Sequence, residues 1–301
     1  MVNYFFAAVE LGGTKCKAGV GNGVTIIDEI TIPTRSPEVT VKILLNFINE
    51  SKKTLGRIRG LGIASFGPIN LNFPSPDFGC IQNSPKERWV GFNLQQAFTT
   101  LDCPIAIDTD VNSACLSETY FGAGRDSKNV IYVTIGTGIG VGIVLDGIVF
   151  RGKTHPEIGH ISVNQDAYCD PFGGVCPYHG NCLEGLASGP AILARWGKSL
   201  TALPAEHSGH ALQAGYLAQL VKMLILSFSP DKIILGGGVM RTPGLIDLVR
   251  VKTLEALNGY ITGLVTLEEI LSLIKTPELG DTSGLRGAML KIKNMTLGEF
   301  A

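Results

Sequence analysis

The densest group of side chains able to hold a metal lies in residues 155–190, where three of the five histidines and three of the seven cysteines fall. Within it His160, Cys176, His179 and Cys182 are separated by 15, 2 and 2 residues. Two thiolates and two imidazoles complete a tetrahedral Zn²⁺ shell, and Cys-x-x-His-x-x-Cys can supply three ligands from one tight loop. Four protein ligands leave no open position for chemistry, so a structural role is expected. Cys169 is a candidate substitute ligand.

Two other patterns could serve phosphate. Gly12, Gly13, Thr14 and Lys15 form one short Gly/Thr-rich turn, and Gly136, Thr137 and Gly138 form another. Such turns offer backbone N–H groups and hydroxyls to an anion without side-chain obstruction. A third run, residues 147–154, fits the Walker A letters. Ile148, Val149 and Phe150 are strand formers, however, and Pro156 biases His155 away from helix where a helix should begin. That run is therefore not expected to bind phosphate. Gly136 and Gly236 do not open a dinucleotide fingerprint. Asp110 follows a short apolar stretch and precedes a helical one, so it is either an N-cap or a general base for a substrate hydroxyl.

The elements that must position these residues follow from pattern. Strands are expected over residues 4–10, 15–20 and 24–32, with Asn22-Gly23 as a hairpin turn. Ser36-Pro37 should start a helix with Val41, Leu44, Leu45 and Ile48 on one face, and residues 60–65 return as a strand. Shifting the first hairpin by about 124 residues places Val9, Leu11, Gly12, Val20, Asn22 and Gly23 on Val133, Ile135, Gly136, Val144, Asp146 and Gly147. A helix over 211–227 and a strand over 232–235 repeat the later order. Two similar α/β halves would leave a cleft, a common place for ligands.

The 301 residues carry 25 Lys plus Arg against 26 Asp plus Glu, a net charge of -1 that argues against a polyanion binder. The glycine-broken apolar stretch 130–150 is a poor membrane span. No basic n-region precedes the first apolar residues, and an odd cysteine count favours reduced thiols, so a cytoplasmic protein is expected.

Together the segments ELGGTK, ASFGPI, DTDVN, TIGTGIG, HPEIGH, CPYHGNCLEGLASGPAI and ILGGGVM resemble the ROK family of sugar kinases, in its fructokinase-like branch. The resemblance implies a duplicated ribonuclease-H-like (actin-like ATPase) α/β fold with two lobes. Residues 1–112 would form the small lobe and 113–301 the large one, the last helix packing back on the first. It implies Asp110 as catalytic base, and Gly67, Pro68, Thr109, Asp110, Glu157, His160 and Glu184 around the sugar. Gly12, Gly13, Thr14, Lys15, Thr137, Gly138, Pro190, Gly236, Gly237 and Gly238 would contact nucleotide. Glu10 stands where many ROK kinases carry Asp, and Thr109 where many glucokinases carry Asn. Both are usual in the fructokinase-like branch and weaken a glucokinase assignment. Fructose is therefore the expected substrate, with glucose, mannose or an N-acetylhexosamine as the alternative. The implied cofactors are ATP, Mg²⁺ and structural Zn²⁺, and a homodimer is expected, with neither nucleic acid nor membrane as partner. ROK transcription regulators carry an N-terminal helix-turn-helix, whereas here the phosphate hairpin begins by residue 10. The segment ALPAEHSGHALQA, residues 202–214, departs from the family pattern.

Overall fold

The computed structural model describes residues 4–84 and 86–298. They divide into two compact units, one comprising the chain up to Glu118, Val149–His155 and the chain from Leu279, the other Thr119–Ile148 and Pro156–Glu278. The first stretch thus runs six residues past the expected division at 112, because it ends inside a continuous helix, and two later stretches rejoin it.

In the first unit the chain runs β1 (Phe5–Leu11), β2 (Lys15–Gly21), β3 (Ile26–Pro33), α1 (Pro37–Leu55), β4 (Ile58–Ser65), α2 (Leu94–Ala97), β5 (Ile105–Thr109) and α3 (Asp110–Phe121). Asn22 makes the first hairpin turn by accepting the N–H groups of Val24 and Thr25 at 3.0 and 2.8 Å. The sheet order is β3-β2-β1-β4-β5, with β4 parallel to β1 and β5 parallel to β4. A strand covered on both faces must be apolar on both, and β1 is buried from Phe6 to Val9. Pro37 opens α1 at a position whose N–H needs no partner. The helix lays Val41, Leu44 and Ile48 on one face of the sheet.

The second unit repeats the plan: β6 (Val130–Ile135), β7 (Ile139–Leu145), β8 (Ile148–Val149), α4 (Leu183–Ala187), α5 (Gly189–Trp196), α6 (Ser208–Phe228), β9 (Lys232–Gly236), α7 (Leu245–Leu257), α8 (Leu267–Leu273) and β10 (Ile274–Lys275). Its sheet order, β10-β9-β6-β7-β8, is the first order strand for strand when read from β8 back to β10. Asp146 and Gly147 both take positive φ, 50° and 78°, as a two-residue hairpin turn requires. α6 is long and apolar enough to cross a membrane by length and composition, but Leu217, Leu220, Val221 and Leu224 lie in this unit's core. It starts at Ser208, earlier than expected, because His207 caps it by accepting the Gly209 N–H at 3.0 Å.

The chain then returns to the first unit as α9 (Ser283–Leu297). Leu285, Ala288, Met289 and Ile292 cover the sheet face opposite α1, against Phe6, Ala8, Ala64 and Ala106. The approach is backbone-close: a Cβ on Gly62 would lie 1.9 Å from the Ala288 carbonyl oxygen.

Candidate active site

In the first unit, register gathers three expected segments at one edge. Leu11 pairs with Ser65, and Ser65 with Thr109, so β1, β4 and β5 end level with one another. Gly12 to Lys15, Gly67-Pro68 and Asp110 therefore follow directly from neighbouring strand ends. The first turn is closed by the Gly12 N–H donating to the Lys15 carbonyl at 3.0 Å. Lys15 itself is half exposed and ion-paired to Asp281 at 2.7 Å. Glu10, the last strand residue but one, has a raised pKa, because burial outweighs the attraction of Lys17 and Lys15. Its Oε2 is buried without a hydrogen-bond partner.

The cap of α3 is Thr109, whose hydroxyl accepts the Asn112 N–H at 3.1 Å. Asp110 is the first helical residue, and its Oδ1 accepts the adjoining Val111 N–H at 2.9 Å. Thr109 and Asp110 thus each accept one of the first N–H groups of α3.

Behind that turn lies a charge cluster the sequence reading missed. Asp108, whose side chain is 1% exposed, accepts from Thr109 N and Asn112 Nδ2 on Oδ1, and from Arg151 Nη2 and Lys291 Nζ on Oδ2. Burial would raise its pKa, but Lys291 and Arg151 outweigh it and hold the carboxyl at about 2. Burial lowers the pKa of Lys291 in turn. The ionised pair is the state that fits the geometry, because Lys291 Nζ has two acceptors, Asp108 and the Ile107 carbonyl. Asn112 Nδ2 also reaches His155 Nδ1 at 3.4 Å, and burial keeps the His155 pKa low, against the pull of Asp108. The one available signal was a charged residue inside an otherwise buried strand.

The second unit collects the other half of the expected residues. Thr134 on β6 pairs with Gly236 on β9, so Gly136, Thr137 and Gly138 lie beside Gly237 and Gly238. Gly237 has φ +92°, and a Cβ there would strike Ile135 backbone at 2.3 Å, so glycine is required. The Gly189 N–H donates to the Gly136 carbonyl at 2.7 Å, placing exposed Pro190 at the start of α5 next to the same turn. Glu184 on α4 accepts the Ile139 N–H at 2.8 Å and lies 3.8 Å from His160 Nε2. Glu157 is exposed by surface, yet partial desolvation of its carboxyl and then the nearby Glu184 raise its pKa. The Walker-like run makes β8 and then irregular backbone, with Lys153 and Thr154 exposed and no helix starting at them.

His160, Cys176, His179 and Cys182 bring their ligand atoms within 4.8 Å of one another. Cys176 Sγ lies 3.6 Å from His160 Nδ1 and 3.7 Å from His179 Nδ1, and Cys182 Sγ lies 3.5 Å from His160 Nδ1. Cys169 is exposed, outside this group, and its thiol donates to Asp166. The loop before the knuckle is held by Asp170, buried under a two-bond grip from Arg195 at 3.1 Å and a Tyr216 hydroxyl at 2.6 Å.

A duplicated mixed sheet with glycine turns at corresponding strand ends is the architecture of the actin-like ATPase fold. The chain belongs to the ROK family, whose model matches residues 6–294. It is 40% identical over 289 residues to a fructokinase of Zymomonas mobilis, covering 94% of each chain. To a fructokinase of Pediococcus pentosaceus it is 39% identical over 289 residues, covering 94% of this chain and 96% of the other. The crystal structure of a ROK hexokinase from Thermus thermophilus superposes with a TM-score of 0.78 at 24% identity, covering 98% and 100%. The chain is a fructokinase-like hexose kinase, a phosphotransferase with an alcohol group as acceptor.

Proposed function

We propose that this kinase transfers the γ-phosphoryl group of ATP to the 6-hydroxyl of D-fructose, with Asp110 as general base. The observation that carries this reading is register: Asp110 follows β5 at the edge where β1 and β4 also end, level with the Gly12 turn and Gly67-Pro68. Phosphoryl transfer asks a protein chiefly for positioning and charge stabilisation. Asp110 would accept the hydroxyl proton, while Gly12 to Thr14 and Gly136 to Gly138 would offer backbone N–H groups to phosphates. Pro190, Gly237 and Gly238 would border the nucleotide, and Gly67, Pro68, Thr109, Glu157, His160 and Glu184 the sugar. A divalent ion such as Mg²⁺ would neutralise phosphate charge, and Glu10, with its buried unpartnered Oε2, suits a ligand or water-mediated partner of it. ADP release measured against fructose, glucose, mannose and an N-acetylhexosamine tests the reading. Fructose should give the highest kcat/KM by at least about tenfold, the worth of one net hydrogen bond of about 1.4 kcal/mol. A higher value for another hexose would overturn the choice of sugar.

The His/Cys group fits structural zinc. Zn–S of about 2.3 Å and Zn–N of about 2.05 Å at tetrahedral angles separate sulfur from nitrogen by about 3.6 Å. Three of the four S···N separations are 3.5, 3.6 and 3.7 Å. His160 and His179 would ligate through Nδ1, leaving His160 Nε2 toward Glu184, the kind of carboxylate partner that orients a ligating imidazole. The metal would brace the loop that carries Glu157 and Glu184. Free thiols at all the cysteines fit a reducing cytoplasm, and the balanced charge fits small-molecule rather than nucleic-acid or membrane partners. The family resemblance adds the expectation of a homodimer, which light scattering would read.

A further inference from the structure

Asp108 stands two residues before Asp110, and the proposed reaction gives it no task. Its two oxygens do different work. Oδ1 holds the turn that presents Asp110, accepting Thr109 N at 2.9 Å and Asn112 Nδ2 at 2.8 Å. Oδ2 faces two cations, Arg151 at 3.1 Å and Lys291, which reaches in from α9 183 residues away. A buried ion pair is a poor device for stability alone, since apolar side chains of like volume often do as well. What an apolar residue could not do is accept the two N–H donors on either side of Asp110.

We propose that Asp108 is a positioning residue for phosphoryl transfer: paired with Lys291 and Arg151, it fixes the turn of Thr109, Asp110 and Asn112 and so the direction from which Asp110 meets the sugar hydroxyl. The proposal rests on Asp110 being the base. A displacement of about 1 Å in a reacting group can lower turnover about 100-fold, so the effect should fall on kcat and spare both KM values.

The test compares two double variants of the full chain, Asp108→Ala/Lys291→Met and Asp108→Asn/Lys291→Met. Both remove the buried charges, but only asparagine keeps an acceptor oxygen for Thr109 N and Asn112 Nδ2. The alanine pair should lose at least about tenfold in kcat, with KM for fructose and ATP within about threefold. The asparagine pair should regain at least about threefold of that loss, the remainder belonging to the cations on Oδ2. Equal kcat in the two pairs would overturn the proposal, because charge balance alone would then matter. Should either pair fail to fold, Arg151→Gln decides, since that side chain is 40% exposed and lies outside the core. It should lower kcat at least about threefold at unchanged melting temperature, with recovery in Arg151→Lys; wild-type turnover in Arg151→Gln would overturn the proposal. Asp110→Asn is measured alongside, and full activity there would sink the base assignment, a failure distinct from that of Asp108.

Discussion

Removing one of the proposed zinc ligands should soften the second unit by an amount the chain separation sets. Metal ligation would tie His160 to Cys176 and Cys182 across separations of 16 and 22 residues. Treating the metal as a cross-link, the loop-closure relation used for disulfides gives about 3 kcal/mol for loops of that size. In a unit of roughly 150 residues each kcal/mol shifts the midpoint by about 2–4 °C. Cys176→Ser should therefore lower the melting temperature of this unit by about 6–12 °C. Cys169→Ser, which changes an exposed thiol outside the group, should leave it unmoved. The assay is calorimetry on wild type and both variants, before and after exposure to a tight zinc chelator, with metal counted by elemental analysis. Wild type should hold about one zinc per chain, and chelation should reproduce the shift caused by Cys176→Ser. A metal-free wild type with full stability and turnover would refute the reasoning, as would a Cys169→Ser shift as large as that of Cys176→Ser.

Lys153→Ala should leave ATP affinity within about threefold, an ordinary surface effect, because the run it belongs to forms strand β8 and exposed loop; equilibrium titration with ATP checks this, and a hundredfold loss would restore the phosphate loop. Asp108 also predicts acid behaviour. Its carboxyl is held at about 2 against an ordinary 3.8, so its stabilisation is complete above 3.8 and disappears as pH falls through about 2. That contribution is about 2 kcal/mol, and denaturant midpoints measured from pH 5 to pH 2 should fall more steeply in wild type than in Asp108→Asn.

Local chemistry made much of this molecule legible. Asn22-Gly23 and Asp146-Gly147 announced the hairpins because few residues tolerate such turns, and the repeat of β-hairpin, helix and strand foretold two sheets of the same order. The clustering of His160, Cys176, His179 and Cys182 could be read because three of them share one short loop. Capping was harder: Thr109 and Asp110 are both good N-caps in sequence, and each accepts one of the first N–H groups of α3. The start of α6 was hidden for a similar reason, since histidine is not the usual cap and His207 serves as one. Asp108 was opaque because its meaning depends on Lys291, a pairing across the sequence that no local pattern encodes. Buried Asp170, held by Arg195 and Tyr216, is another contact of that kind.

The turnover of Asp110→Asn tests the central claim most directly. Asparagine keeps the shape of the side chain and can still accept the Val111 N–H, and Thr109 continues to cap the helix. Fold, zinc content and fructose affinity should therefore stay near wild type. General-base catalysis is typically worth about 10²–10⁴-fold, and a loose phosphoryl-transfer transition state favours the lower end. A kcat reduced about 100-fold or more at unchanged melting temperature is the expected result. A kcat within a few-fold of wild type would show that the proton goes elsewhere and that Asp110 is not the base.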